Sequence, residues 1–150
     1  MAELPLCIPD ANTALRWLLP DRDFAEQASD IMNDFTGGRV SLISPYHFPL
    51  EVGSGIRRQV ATHKMTHQEG TRRFNRFLAL RIPIANDEGL LETAFQNCQR
   101  FSISIRDSLY ITLAQFYEIP LITADENLLR ALDRFPYKMF LGDYTLPGVS

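Results

Sequence analysis

Apolar and polar positions along the chain switch between a two-residue and a near-four-residue period, and the switches predict its elements. Leu4 to Ile8 reads as a short buried strand, although Pro5 and Pro9 each lack a backbone donor. Asn12 is placed as the cap of a helix through Ala14, Leu15, Trp17 and Leu18, which Pro20 ends. Phe24, Ala28, Ile31, Met32 and Phe35 recur at helical spacing and stop at Gly37-Gly38. Val40, Leu42 and Ile43 predict a second strand. Ser44-Pro45 reads as a cap and first-turn proline for a helix carrying Glu51, Val52, Ile56 and Val60. Pro49, Gly53 and Gly55 weaken its early turns and move its expected start toward Pro49. Thr66 and Glu69 have capping-box spacing ahead of Phe74, Phe77 and Leu78. Ile82 and Ile84 alternate as a third strand, and Asn86 or Asp87 opens a helix through Leu90, Leu91, Ala94 and Phe95.

The most coherent stretch is Ser104 to Glu126. Leu109, Ile111, Leu113, Ala114 and Phe116 form an apolar run of helical length, opened by Asp107 or Ser108 and closed at Glu118-Ile119 ahead of Pro120. Leu121, Ile122 and Thr123 then suit a buried parallel strand. A short helix (Leu128, Leu129, Leu132) and a last strand near Tyr137 to Leu141 follow. Strands alternating with helices predict one α/β domain over residues 1–150, with a central, mainly parallel sheet of four to five strands flanked by helices.

Composition narrows the class without naming it. The chain is 45% hydrophobic and 22% charged, which favours neither disorder nor a membrane protein. No apolar run approaches the roughly 20 residues of a spanning helix. The opening M-A-E-L-P-L-C-I-P-D lacks the basic start and long apolar stretch of a secretory signal. Cys7 and Cys98 fit no metal or redox spacing and are expected to be reduced. A cytoplasmic protein is therefore expected. The net charge of −3 argues against broad electrostatic capture of nucleic acid but leaves room for local basic patches or a bound cation.

Placing the acidic residues on these elements changes the picture. Asp10 follows the first strand and Asp125 the fourth, Glu51 lies early in the helix after the second strand, and Asp107 sits at a helix start. A helix followed by a strand travels out and back, so Asp107 and Asp125 are expected to be neighbours. All four carboxylates can reach one edge of the sheet, where open α/β sheets bind ligands. Four ionised carboxylates in one cleft repel each other, and a divalent cation removes that repulsion. Oxygen-only donors select Mg²⁺ or Mn²⁺ over Zn²⁺. Such ions activate water and offset charge in phosphodiester hydrolysis. Taken singly, any of these acids also suits a helix cap or a solvated surface position.

Three blocks carry a resemblance: P-D-A-N-T-A-L-R-W-L-L-P at 9–20, S-P-Y-H-F-P-L-E-V-G-S-G-I-R-R at 44–58, and R-D-S-L-Y-I-T-L-A through L-I-T-A-D-E-N-L at 106–128. Each is short, but in order and spacing they span nearly the whole chain. Together the sequence resembles PIN domains, and among them the VapC-type toxins of prokaryotic toxin–antitoxin pairs. The resemblance implies a metal-dependent endoribonuclease with Asp10, Glu51, Asp107 and Asp125 as its catalytic, metal-holding residues. It implies supporting roles for Asn12 and Thr123, and partners in the form of RNA, a cognate antitoxin that covers the cleft and a second copy in a homodimer. Pro9 and the irregular stretch around Glu51 depart from the family pattern. They motivate the alternative of a non-catalytic PIN-like domain that binds RNA or protein.

Other features weigh less. Arg57-Arg58 and Arg72, Arg73 and Arg76 are solvated helix faces or phosphate contacts, and Arg16 and Arg106 sit near motif carboxylates where RNA could touch them. His63 and His67 are four apart but lack a metal motif around them, and His47 has no marked context. A phosphoacceptor signalling domain would need an acidic pair after the first strand and a late lysine. Pro9-Asp10 is no such pair, and no lysine falls between Lys64 and Lys138.

Overall fold

The structure is a computed structural model that describes residues 3–86 and 88–146. Its framework is a four-stranded sheet in the order β2-β1-β3-β4, built from β1 (Leu6–Pro9), β2 (Ser41–Leu42), β3 (Leu121–Thr123) and β4 (Lys138–Phe140). Every pairing is parallel, so this is the expected α/β fold flanked by helices. Cys7, Ile8, Leu121, Ile122 and Thr123 have no exposed surface, which is why these strands read as apolar runs without alternation. Both cysteines are free.

Pro9 leaves the ladder between β1 and β3 intact. Successive residues of a strand bond to opposite neighbours, and Ile8 N–H and Asp10 N–H donate across to Pro120 O at 3.0 Å and Ile122 O at 3.2 Å. The nitrogen of Pro9 faces the β2 side, where Ile43 N–H to Cys7 O (3.1 Å) is the last bond and Pro9 has no N–H to add the next. The expected third strand is reduced to one bridge between Ser44 and Ile84. Pro83 between the two isoleucines lacks an N–H, and Arg81 ahead of them is left-handed at φ 51°. Among the described residues, only Ser44 N–H to Pro83 O (3.0 Å) and Ala85 N–H to Ser44 O (2.8 Å) hold the crossing.

The helices are α1 (Ala11–Leu18), α2 (Ala25–Thr36), α3 (Phe48–Ala61), α4 (His67–Ala79), α5 (Leu91–Phe101), α6 (Ile105–Tyr117) and α7 (Glu126–Ala131). Two starts differ from expectation. Asp10, not Asn12, caps α1, because the helix begins directly off β1 and Asp10 Oδ1 accepts Thr13 N–H at 2.8 Å. Ser104 caps α6 by accepting Asp107 N–H at 3.0 Å, which puts Asp107 inside the first turn instead of at its door. The α3 helix opens at Phe48-Pro49, the later of the two starts weighed for it. Thr66 caps α4 through Glu69 N–H as its spacing predicts. Ahead of α5 a 3₁₀ turn spans Glu88–Leu90, and Asn86 Oδ1 accepts Glu88 N–H at 3.4 Å; Asp87 lies outside the described residues.

Burial makes α6 the central helix: Ser108 through Ala114 are all buried. It stops where expected, at Glu118 in the left-handed region (φ 54°) before Ile119-Pro120. The glycines of α3 have a packing purpose. A Cβ on Gly55 would run into the Leu15 side chain, so glycine lets α3 close onto α1.

Candidate active site

The order β2-β1-β3-β4 reverses direction between β1 and β3, and a crevice opens beyond the C-terminal ends of strands at such a switch point. Asp10 leaves the end of β1 there. A cavity of about 120 Å³ lies beside it, lined by Asp10, Asn12, Glu51, Arg58, Asp107 and Tyr110. Glu51, Gly55 and Arg58 face it from α3 at successive helical turns, and Asp107 and Tyr110 from the first turns of α6.

Asp125 stands just outside this lining. Its Oδ1 caps α7 by accepting Leu128 N–H at 3.1 Å, and its charge bears on Asp107. Thr123 lies beside the Asp10 carboxylate, and its hydroxyl also accepts Asp125 N–H at 3.1 Å. The structure thus brings three of the four acids onto one cavity and sets the fourth at its shoulder.

The electrostatics follow from burial. Asp10 is only 6% exposed. Desolvation pushes its pKa from 3.8 up to about 6, against the opposing pull of Thr123 and Thr13, with Asp107 adding a smaller push upward. Asp107 is raised as well, first by burial and then by Asp125 and Glu51, while its contact with Ser104 and the charge of Arg106 pull it down. The Tyr110 hydroxyl is held far above its usual range by burial and by Glu51 and Asp10. It therefore stays a donor, and it gives its proton to Glu51 Oε1 at 2.8 Å.

Among the described residues, no three Asp, Glu, His or Cys side chains stand close enough together to form a ready metal cage. The donor chemistry nonetheless fits a hard divalent cation: three carboxylates and no sulfur or imidazole line the cavity, and one guanidinium faces them. A cation there would offset the desolvated charge of Asp10.

The basic residues divide sharply. Arg58 lines the acidic cavity. Arg57 instead lines a separate cavity of about 680 Å³ with His63, Lys64 and His67. Arg16 is tied to backbone, donating to Asp23 O at 3.0 Å and Asn12 O at 3.3 Å. Arg106 contributes through its carbonyl, which lies 3.0 Å from His47 Nε2. Arg72 and Arg73 pair with Glu69, and Arg76 stacks over Trp17 at 4.5 Å, so this trio serves the α4 surface and its contact with α1.

Two site residues escaped the sequence reading. Tyr110 follows Asp107 by one helical turn, and a tyrosine inside an otherwise apolar buried helix signals a hydroxyl with a partner. His47 precedes Glu51 by the i,i+4 spacing, with Nε2 3.2 Å from Glu51 Oε1.

A parallel α/β domain with an acidic crevice at its switch point is the class of protein that this geometry defines. Within that class, a family model for the PIN domain matches residues 7–134, and the chain belongs to the PIN domain family. PIN domains are in general nucleases, typically binding divalent metals. The chain is similar in fold to the crystal structure of PAE2754 from Pyrobaculum aerophilum, with a TM-score of 0.70 at 12% identity over 93% of this chain and 85% of that one. No curated protein matches the chain. Among the described residues, no helix is long and apolar enough to cross a membrane.

Proposed function

We propose that the protein is a Mg²⁺- or Mn²⁺-dependent endoribonuclease, the toxin of a VapBC-type pair. The observation that carries this reading is the gathering of Asp10, Glu51 and Asp107 on one small cavity in a PIN-family chain. These three carboxylates hold the metal, and Asp125 adds its charge through Asp107 or takes part through water. A bound divalent cation supplies an activated water and offsets charge developing on the phosphate. The chain does the rest. Thr13 N–H and Thr123 orient Asp10, Asn12 sits at the cavity mouth, and Arg58 attracts the scissile phosphate into an otherwise anionic crevice. Arg57, Arg16 and Arg106 contribute weaker contacts to the RNA backbone. Hydrolysis leaves 5′-phosphate and 3′-hydroxyl ends.

The three motif blocks support the remaining assignments: a homodimer in the cytoplasm, silenced by a cognate antitoxin whose C-terminal segment covers the crevice. Incubating purified protein with RNA and Mn²⁺ tests the chemistry. Cleavage is expected in wild type and absent in Asp10→Asn and Asp107→Asn; either variant cutting at the wild-type rate would remove that residue from the site. One observation favours a second reading, a non-catalytic domain that binds RNA or protein: the carboxylates do not already form a cage. Calorimetric titration separates the two, because no divalent binding at millimolar concentration would leave only the binding domain.

A further inference from the structure

The cavity is walled by helices that pack mainly on other partners. The α3 helix packs on α1 and α4, and α6 packs on α5, β1 and β3. What joins α3 to α6 at the crevice is a pair of side chains. Tyr110 on α6 donates to Glu51 Oε1 at 2.8 Å. His47, just before α3, places Nε2 3.2 Å from the same oxygen and 3.0 Å from the carbonyl of Arg106, the residue preceding Asp107. A carbonyl only accepts, so Nε2 carries a hydrogen and donates it to Arg106 O, while Glu51 Oε1 stands beside the same ring edge at 3.2 Å. The rings of His47 and Tyr110 meet edge to face, with centroids 4.9 Å apart.

Both residues are buried, at 6% and 2% exposure, so neither is replaced by water at these bonds. His47 Nδ1 is buried with no hydrogen-bond partner among the described residues. A leucine here would pack without leaving such an atom, so packing alone does not explain the histidine. The clamp also acts on one oxygen only. Among the described residues nothing donates to Glu51 Oε2, which leaves that oxygen free for a cation.

We infer, on the basis of the nuclease function proposed above, that Tyr110 and His47 are positioning residues that fix Glu51 against Asp107 and so set the spacing of the metal-holding carboxylates. Both act through Glu51, Tyr110 by its hydrogen bond and His47 by its place between Glu51 and the Arg106 carbonyl. Partners of this kind typically change metal affinity by about 10–100-fold when they are lost.

The test titrates Mn²⁺ calorimetrically into wild type, Tyr110→Phe, His47→Leu and His47→Gln, with a urea unfolding curve of each metal-free protein to show that it folds. Tyr110→Phe and His47→Leu are expected to raise the Kd for Mn²⁺ by about 10–100-fold. In RNA cleavage their kcat is expected to fall at subsaturating metal while KM for RNA stays unchanged. His47→Gln, whose amide nitrogen can donate in place of Nε2, is expected to regain most of the affinity. Should His47→Leu not fold, Tyr110→Phe keeps the ring and its packing and decides the matter. Wild-type Mn²⁺ affinity in Tyr110→Phe overturns the inference while leaving the nuclease intact. No Mn²⁺ uptake by wild type overturns the nuclease itself and the positioning role with it.

Discussion

One oxygen of Asp10 accepts the backbone N–H of Thr13 at 2.8 Å, so the side chain that faces the acidic cavity is also the cap that starts α1. Folding of the first helix and placement of the first carboxylate are one event.

That double duty separates two substitutions at the same position. Asparagine caps a helix about as well as aspartate, and alanine does not. Asp10→Asn and Asp10→Ala are both expected to abolish cleavage, but the alanine variant should be about 1 kcal/mol less stable than the asparagine variant. Urea unfolding of the two metal-free proteins measures the difference. Equal stability would show that the cap contributes nothing.

The buried carboxyl also makes stability depend on pH. The folded protein keeps the Asp10 proton up to about pH 6, whereas an unfolded aspartate releases it near 3.8. Between those values the folded state holds more protons, so the contribution of Asp10 to stability falls as pH rises, by about 3 kcal/mol in full. Above that window the whole penalty applies. In EDTA, wild type is expected to lose stability relative to Asp10→Asn as pH is raised through this range, and saturating Mg²⁺ should reverse the loss. Parallel pH profiles for the two proteins would rule out the penalty.

Gly55 sets how closely α3 approaches α1. Its added methyl would strike Leu15, so Gly55→Ala is expected to cost about 1–3 kcal/mol through overpacking. Because the shift would move Glu51 relative to Asp10, Mn²⁺ affinity should fall along with the urea midpoint. Gly53→Ala meets only the edge of the Phe74 ring, at 3.2 Å, and should do less on both counts. A larger effect at Gly53 would contradict this account of α1–α3 packing.

The arginines should separate by position. Arg58→Gln removes a charge from the cavity, and in an Asp10→Asn background it is expected to weaken single-stranded RNA binding regardless of sequence. The plot of log K against log salt should flatten by about 0.7 for the lost phosphate contact. Arg16→Gln, whose guanidinium is partly committed to the Asp23 and Asn12 carbonyls, should flatten the slope by clearly less than Arg58→Gln does. Fluorescence anisotropy at several salt concentrations reads both, and identical slopes for wild type and Arg58→Gln would remove Arg58 from the RNA path.

Much of the fold was legible because its signals are local. Leu121-Ile122-Thr123 reads as a buried parallel strand from its apolar character alone, and Pro120 marks where α6 must already have ended. The Thr66 cap was visible for the same reason, since donor and acceptor lie three residues apart. Errors arose where a local signal competed with another. Asn12 looked like a cap until β1 delivered Asp10 to the helix start, and Ile82 and Ile84 alternated like a strand although Pro83 deprived them of a ladder.

Sequence alone established the alternation of strands and helices and the four acids near element ends, because period and turn chemistry are written in neighbouring residues. Tertiary structure decided that three acids share the cavity lining while Asp125 caps α7 beside it. It also decided that Arg58 faces the cavity and Arg57 does not, and that Tyr110 and His47 meet at one oxygen of Glu51. Those relationships depend on how far α3 and α6 turn and how closely they approach, distances set by packing between residues remote in the chain.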